Sequence, residues 1–300
     1  MKKLAAPAYR LARDFIHGHA RPLERALFAF EFEGGARGAV LDALAAFQNP
    51  DGGFGHALEP DVRLPASSSI ATLTGLDVLR EIGADATVPA LRSALEWVVA
   101  AFDPALPGWR AVPAAVDLHP HAPWWSHEHH RPGGVSDPFL VPGARLLSHL
   151  QHWRALVPAK LVTDCGVAFR RHVGTLAGEL GGDGLYCAST VDDAVVQAVV
   201  RELALANVSR DPATWTTYVA KPLKLAPTPE SSLAETLREL VDRNLDWEIE
   251  QQSSDGGWEP NWSWFGTYPE AWEVARREWR GELTRKTLQS LRAYGRIEGL

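Results

Sequence analysis

His56, Glu59 and Asp61 fall within six residues of one another, with Pro60 between the two carboxylates and Arg63 just beyond. An imidazole, two carboxylates and a guanidinium on a proline-held loop can serve as an acid, a base or a metal site. The competing role is a surface ion pair between Asp61 and Arg63, of small energetic worth. A second cluster follows in His119-Pro120-His121 and Trp124-Trp125-Ser126-His127-Glu128-His129-His130. Neutral imidazole is a common metal ligand, and alternation along an extended loop turns His119 and His121 to one side, and His127 and His129 likewise. A divalent metal is the cofactor such a set would take, although the spacing matches no zinc motif and a solvated loop is the alternative. Twelve Trp is a high count. Trp124, Trp125, Trp258, Trp262, Trp264 and Phe54 are the candidates for substrate contact, because a desolvated aromatic face steadies a cation by about 1–2 kcal/mol. Filling the core is the other use of such rings.

These residues need a scaffold, and the patterning of the chain is helical. Apolar periodicity predicts helices over about 8–18, 21–32, 36–47, 67–82, 87–101, 142–154, 159–177, 190–207, 230–250, 269–279 and 281–295. Residues 51–66 and 103–141 are long irregular stretches that hold most of the unusual chemistry. Gln48-Asn49-Pro50-Asp51-Gly52-Gly53-Phe54 recurs as Gln252-Ser253-Ser254-Asp255-Gly256-Gly257-Trp258. Each copy ends an amphipathic run in a sharp turn whose glycines reach positive φ. A repeat of this kind predicts stacked helical hairpins. Gly181-Gly182-Asp183-Gly184-Leu185-Tyr186 and Pro107-Gly108-Trp109 read as degenerate copies of the turn.

The two heptapeptides resemble the repeat signature of the terpenoid cyclase and protein prenyltransferase superfamily. That resemblance implies an all-α fold, an α/α toroid, either a complete (α/α)6 barrel or an incomplete one. It also implies one continuous domain over 1–300, with 51–66 and 103–141 as loops over the mouth of the ring. Class II members protonate an alkene with an Asp-x-Asp-Asp motif, and Ser189-Thr190-Val191-Asp192-Asp193 is similar except for Thr190 in the first position. The resemblance therefore implies Asp192 as the acid, with Asp193 in support. Read from the residues alone, Thr190-x-x-Asp193 is a capping box at a helix start. An apolar, isoprenoid-type small molecule is the partner implied, with acid-initiated cyclisation or isomerisation as the reaction.

Two alternatives stand beside it. One is a hydrolase or lyase on a similar helical ring that uses His56, Glu59 and Asp61, with or without a metal. The other is a non-catalytic binding protein. No Asp-Asp-x-x-Asp, phosphate loop or Gly-x-Ser-x-Gly elbow is present. A formal charge of −7 without Lys/Arg runs argues against nucleic acid. Cys165 and Cys187 alone predict reduced thiols in a cytoplasmic setting. The start Met1-Lys2-Lys3 is followed by no apolar signal region, and no stretch approaches the roughly 18 apolar residues of a membrane span, which leaves peripheral membrane contact open.

Overall fold

Thirteen α-helices form the regular structure of the computed structural model, which describes residues 1–106, 108–130, 137–178 and 180–300. They are α1 (Ala6–His19), α2 (Pro22–Phe32), α3 (Arg37–Ala45), α4 (Ser69–Glu81), α5 (Pro89–Ala100), α6 (His127–His130) and α7 (Arg145–His152). The remainder are α8 (Ala159–Val173), α9 (Gly182–Ser189), α10 (Ala194–Asn207), α11 (Pro222–Leu225), α12 (Arg238–Glu250) and α13 (Pro269–Ala293). Among the described residues β-pairing is confined to isolated bridges, so the fold is all-α. The starts follow from local chemistry. Proline stands in the first turn of α1, α2, α5, α11 and α13, where its missing N–H costs nothing. The Ser68 hydroxyl caps α4 by accepting from Ala71 N–H.

Helices pack largely with their sequence neighbours: α2 on α3, α4 on α5, α7 on α8, α9 on α10 and α11 on α12. Further contacts join α4 to α7, α9 to α11, and α13 back to both α1 and α2. The two ends of the chain also meet, through a parallel bridge between Leu4 and Ile297.

The two repeat turns are built alike, bond for bond. In the first, Asn49 N–H donates to Gly53 O and Gly52 N–H to Asn49 O; in the second, Ser253 N–H donates to Gly257 O and Gly256 N–H to Ser253 O. Gly52 (φ 92) and Gly256 (φ 95) occupy the positive-φ corner. Asp51 and Asp255 each accept from the backbone N–H two residues on. The glutamines do the joining. Gln48 Nε2 donates to Gly52 O and to Ala90 O at the start of α5, and Gln252 Nε2 donates to Gly256 O and to Ala8 O in α1. Each turn thus fastens the end of one helix to the beginning of another, and the second copy fastens α12 to the first helix of the chain.

Three expectations need correction. Gly181–Tyr186 is no turn but the start of α9, and its glycines answer to packing. A Cβ at Gly182 would lie 3.0 Å from Ala220 Cα, and one at Gly184 would lie 3.1 Å from Leu140 Cδ1. α13 runs unbroken through Gly281, where a Cβ would meet Ala20 Cβ at 2.8 Å; the glycine permits close helix contact rather than a break. The helix expected from 230 begins only at Arg238, after a run of turns. The 103–141 stretch is partly ordered into 3₁₀ turns at 114–118 and 123–125 and the short α6; Pro107 and residues 131–136 of it lie outside the described residues. Trp109 is fully buried and donates its indole N–H to Val98 O, much as Trp258 donates to Glu248 O. Cys165 and Cys187 are free, buried thiols, each pushed up to about 12 by burial. Among the described residues no helix is long and apolar enough to cross a membrane.

Candidate functional site

The loop after the first repeat turn folds back on itself and carries two carboxylates inward. His56 and Ala57 adopt left-handed backbone conformations (φ 54 and 61), and from there the chain enters a bend closed by Val62 N–H donating to Glu59 O at 3.1 Å. Arg21, just ahead of α2, fixes the bend by donating to Ala57 O (2.9 Å) and Leu58 O (3.2 Å), while its guanidinium pairs with Glu24 at 2.5 Å. A second loop lies alongside: Arg63 N–H donates to Pro120 O and Ala122 N–H to Asp61 O, with an antiparallel bridge between Val62 and His121. This pairing brings Trp125 to the carboxylates.

Asp61 is 3% exposed and accepts from three tryptophans. Trp264 Nε1 and Trp279 Nε1 each donate to Oδ1 at 2.8 Å, and Trp262 Nε1 donates to Oδ2 at 3.2 Å. Trp262 and Trp264 come from the loop ahead of α13 and Trp279 from α13 itself, so Asp61 ties the loop after the first repeat turn to the last helix of the chain. Burial raises its pKa to about 6, against the pull of the three indoles toward the anion. Glu59, two residues earlier, is the opposite case. It is buried, and among the described residues neither its Oε2 nor Trp125 Nε1 has a hydrogen-bond partner. Burial, with the neighbouring charges of Asp61 and Glu282, raises the Glu59 pKa well above its ordinary value. Of the two, Asp61 has the donors that favour its anion, and the surroundings of Glu59 favour its protonated form.

Beyond this pair the interior is charged. The Asp77, Asp183 and Lys286 side chains lie deep among protein atoms yet remain 40%, 45% and 56% exposed to water. Both facts hold at once only in a recess open to solvent. Lys286 on α13 pairs with Glu282 at 2.5 Å and acts electrostatically on Asp77 of α4 and Asp183 of α9. Asp77 in turn accepts from Arg145 (2.7 Å) and His149 (2.8 Å). Burial opposes ionisation of Asp77, but Arg145 and His149 overcome it and hold the carboxyl well below the usual range. His149, fully buried, is pushed down to about 4 by that burial despite Asp77. Lys224 pairs with Asp183 at 2.5 Å, and the exposed Tyr218 donates its hydroxyl to the same carboxylate. Tyr218 stands edge-on to Trp262 at 6.0 Å, which connects the recess to Asp61 and Glu59.

The other sequence candidates lie elsewhere or do other work. His56 is exposed and bonded to Asn49, away from Glu59 and Asp61. Phe54, fully buried, packs against Gly75, and Trp258 is buried with its indole bonded to Glu248 O; both are core residues of the repeats. Trp124 is half-buried, its carbonyl bonded to His130. Asp192 is exposed. Asp193 caps α10 by accepting from Val195 and Val196 N–H and pairs with Arg170. Burial would raise the Asp193 pKa, but those donors lower it. The expected histidine metal set does not assemble. His121 is buried and bonded to His119 O, His129 to Ser126, and His127 through its N–H to Asp117. Among the described residues no group of three His, Cys, Asp or Glu is arranged to hold a metal ion.

Sequence reasoning missed Trp279, Tyr218, Asp183, Lys286 and the Asp77–His149 pair. The signal for α13 was present: Glu278, Glu282 and Arg285 fall at i, i+4 and i+7, a polar stripe on one helical face.

No family model matches the chain, and no curated protein matches it. Among solved structures, a crystal structure of a protein from Actinoplanes is similar at a TM-score of 0.58 and 16% identity, covering 97% of this chain and 99% of that one. At that identity the likeness is one of fold.

Proposed function

We propose that the helices close into an α/α toroid and that the charged recess is its hollow. There Glu59 donates a proton in the cleavage of a C–O bond of a polar substrate, making the protein a hydrolase or lyase. Support for the ring comes from alternation. α2, α4, α7, α9 and α13 send charged side chains toward a common interior, while α1, α3, α5, α8 and α10 each pack on one of them. The Gln252 clamp and the return of α13 to α1 complete the circuit.

The chemistry rests on one observation, a buried Glu59 whose Oε2 has no partner beside an Asp61 held by three indoles. A buried carboxyl oxygen without a partner, beside a second carboxylate, is a functional candidate. Its proton would pass to the departing oxygen as the C–O electron pair leaves with that oxygen. Water would then fill the carbon in a hydrolase, whereas a lyase would lose a neighbouring proton. Asp61 does not touch substrate in this scheme; its charge keeps Glu59 protonated and its hydrogen bonds fix three rings. An acid at Asp192 acting on an isoprenoid has less support, because Asp192 is exposed, Asp193 is held ionised, and the recess is charged. Glu59→Gln keeps the shape and removes the proton. It should lower turnover of any substrate found for the protein by about 10²–10⁴-fold, and undiminished turnover would reject the assignment.

A further inference from the structure

We infer that the recess beside Glu59 binds a neutral saccharide, with a sugar ring stacked on Tyr218 and Trp262 and its hydroxyls gripped by Asp183 and Lys224. This deepens the reading above and rests on it for the position of the reacting bond. Four observations converge.

First, Tyr218 is 58% exposed although its hydroxyl is anchored on Asp183. Lys224 Nζ lies over one face of the ring, 4.9 Å from its centroid, so the opposite face is the apolar surface offered to a ligand. The platform is rigid: Tyr218 meets Trp262 edge-on at 6.0 Å, and Trp262 meets Trp279 edge-on at 5.1 Å. Both indoles are bonded to Asp61. The C–H face of a sugar ring complements such a surface.

Second, Asp183 and Lys224 sit together at 2.5 Å with hydrogen-bonding capacity to spare. A carboxylate has about four acceptor sites, of which Tyr218 and Lys224 use two, and an ammonium has three donors. Side by side they present an acceptor and a donor to one pair of neighbouring hydroxyls, which themselves both donate and accept.

Third, the charges lining the recess cancel in pairs: Asp77 with Arg145, Asp183 with Lys224, and Glu282 with Lys286. Outside these pairs stand Asp61 and Arg80, of opposite sign, so no cluster of like charges is left to attract a phosphate or an amine. An apolar ligand would strip water from these groups without replacing its hydrogen bonds, at considerable cost. A neutral polyol satisfies them.

Fourth, the Trp125 indole faces the Glu59 carboxyl and acts on it, yet neither Glu59 Oε2 nor Trp125 Nε1 has a partner within hydrogen-bond distance among the described residues. Their residues are 8% and 9% exposed. One sugar oxygen, accepting from the indole and facing the carboxyl, would occupy both. The same oxygen is then placed to receive the Glu59 proton.

The test is ligand-observed NMR on the full chain carrying Glu59→Gln, so that a bound substrate persists. The probes are neutral glucose-, galactose-, mannose- and xylose-based mono- and disaccharides, with glucose 6-phosphate, glucosamine and farnesol as contrasts. At least one neutral saccharide should bind in preference to its charged relatives and to farnesol. Adding Tyr218→Ala should weaken that binding by about tenfold or more, whereas Tyr218→Phe, which keeps the ring, should retain most of it. Lys224→Met should also weaken binding, with the helical circular dichroism signal unchanged in each variant. Binding of none of these saccharides, or equal binding by the Tyr218→Ala chain, overturns the inference. The two proposals fail separately. A saccharide that binds at Tyr218 but is cleaved equally by wild type and Glu59→Gln removes the proton donor and leaves the site. Farnesol binding without saccharide binding removes the site and leaves the donor.

Discussion

Two acidic pairs in this chain, Glu59 with Asp61 and Asp192 with Asp193, have the same functional groups and opposite surroundings. Asp193 sits at the start of α10, where two backbone N–H groups and Arg170 meet it, so it is ionised and structural. Asp192 beside it is exposed. Glu59 and Asp61 lie on an irregular loop pressed into the interior by Arg21 and by the 120–122 strand-like segment. There desolvation raises both pKa values, and three indoles bond to Asp61 while Glu59 has only Trp125 beside it. A carboxyl thus becomes an acid through what its surroundings withhold. A helix start supplies donors, and so makes a cap.

The two pairs should differ most sharply in activity. Glu59→Gln should lower turnover by about 10²–10⁴-fold, the usual worth of a positioned general acid, while Asp192→Asn should leave it unchanged. Steady-state kinetics on one substrate decides this, and the reverse ranking would exchange the roles of the two pairs. Next comes stability. Asp61→Ala leaves three indole N–H groups without their acceptor, and at about 1–3 kcal/mol per unsatisfied buried group the loss should reach about 3–5 kcal/mol in urea unfolding. A loss under 1 kcal/mol would mean that the indoles find other partners and that Asp61 is no knot. Asp193→Ala should cost about 1 kcal/mol, the value of one helix cap. No loss at all would leave Asp193 free for another role.

The smallest effects are in pH dependence, and there the two pairs should move in opposite directions. The folded pKa of Glu59 lies above its unfolded value of 4.5, so its contribution to stability is fully present below 4.5 and is lost as pH rises through the folded value. Glu59→Gln should therefore gain stability relative to wild type as pH rises. The folded pKa of Asp193 lies below 3.8, so its contribution is present above 3.8 and is lost as pH falls through the folded value. The deficit of Asp193→Ala should accordingly shrink in acid. Melting temperatures of both variants against wild type between pH 3 and 9 would show two slopes of opposite sign; parallel slopes would remove the distinction.

Much of the scaffold was legible in the chain because repeated turns encode their own bonding. Gln48 and Gln252, the Asp-Gly-Gly corners and the buried Phe54 and Trp258 do the same job in both copies, and that regularity carries to sequence. Glycine was the point of failure. Gly182, Gly184 and Gly281 look like turn formers, but each sits inside a helix where a neighbouring helix or loop comes too close for a Cβ. At the site, Glu59, Asp61, Trp125, Trp262 and Trp264 were marked by their loops. Trp279, Tyr218 and Asp183 were not, because their partners lie 35–218 residues away in sequence and no local pattern announces such a contact. The histidines misled for a related reason: alternation fixes which way side chains point only in an extended strand, and residues 123–130 coil into short helical turns.

The proposed acid requires that Glu59 carry a proton at neutral pH while buried beside an ionised Asp61. Carboxyl ¹³C NMR of wild type and Glu59→Gln across the pH range tests it most directly. One glutamate resonance should titrate well above 4.5 and disappear in the variant. A Glu59 resonance titrating at or below 4.5 would contradict it.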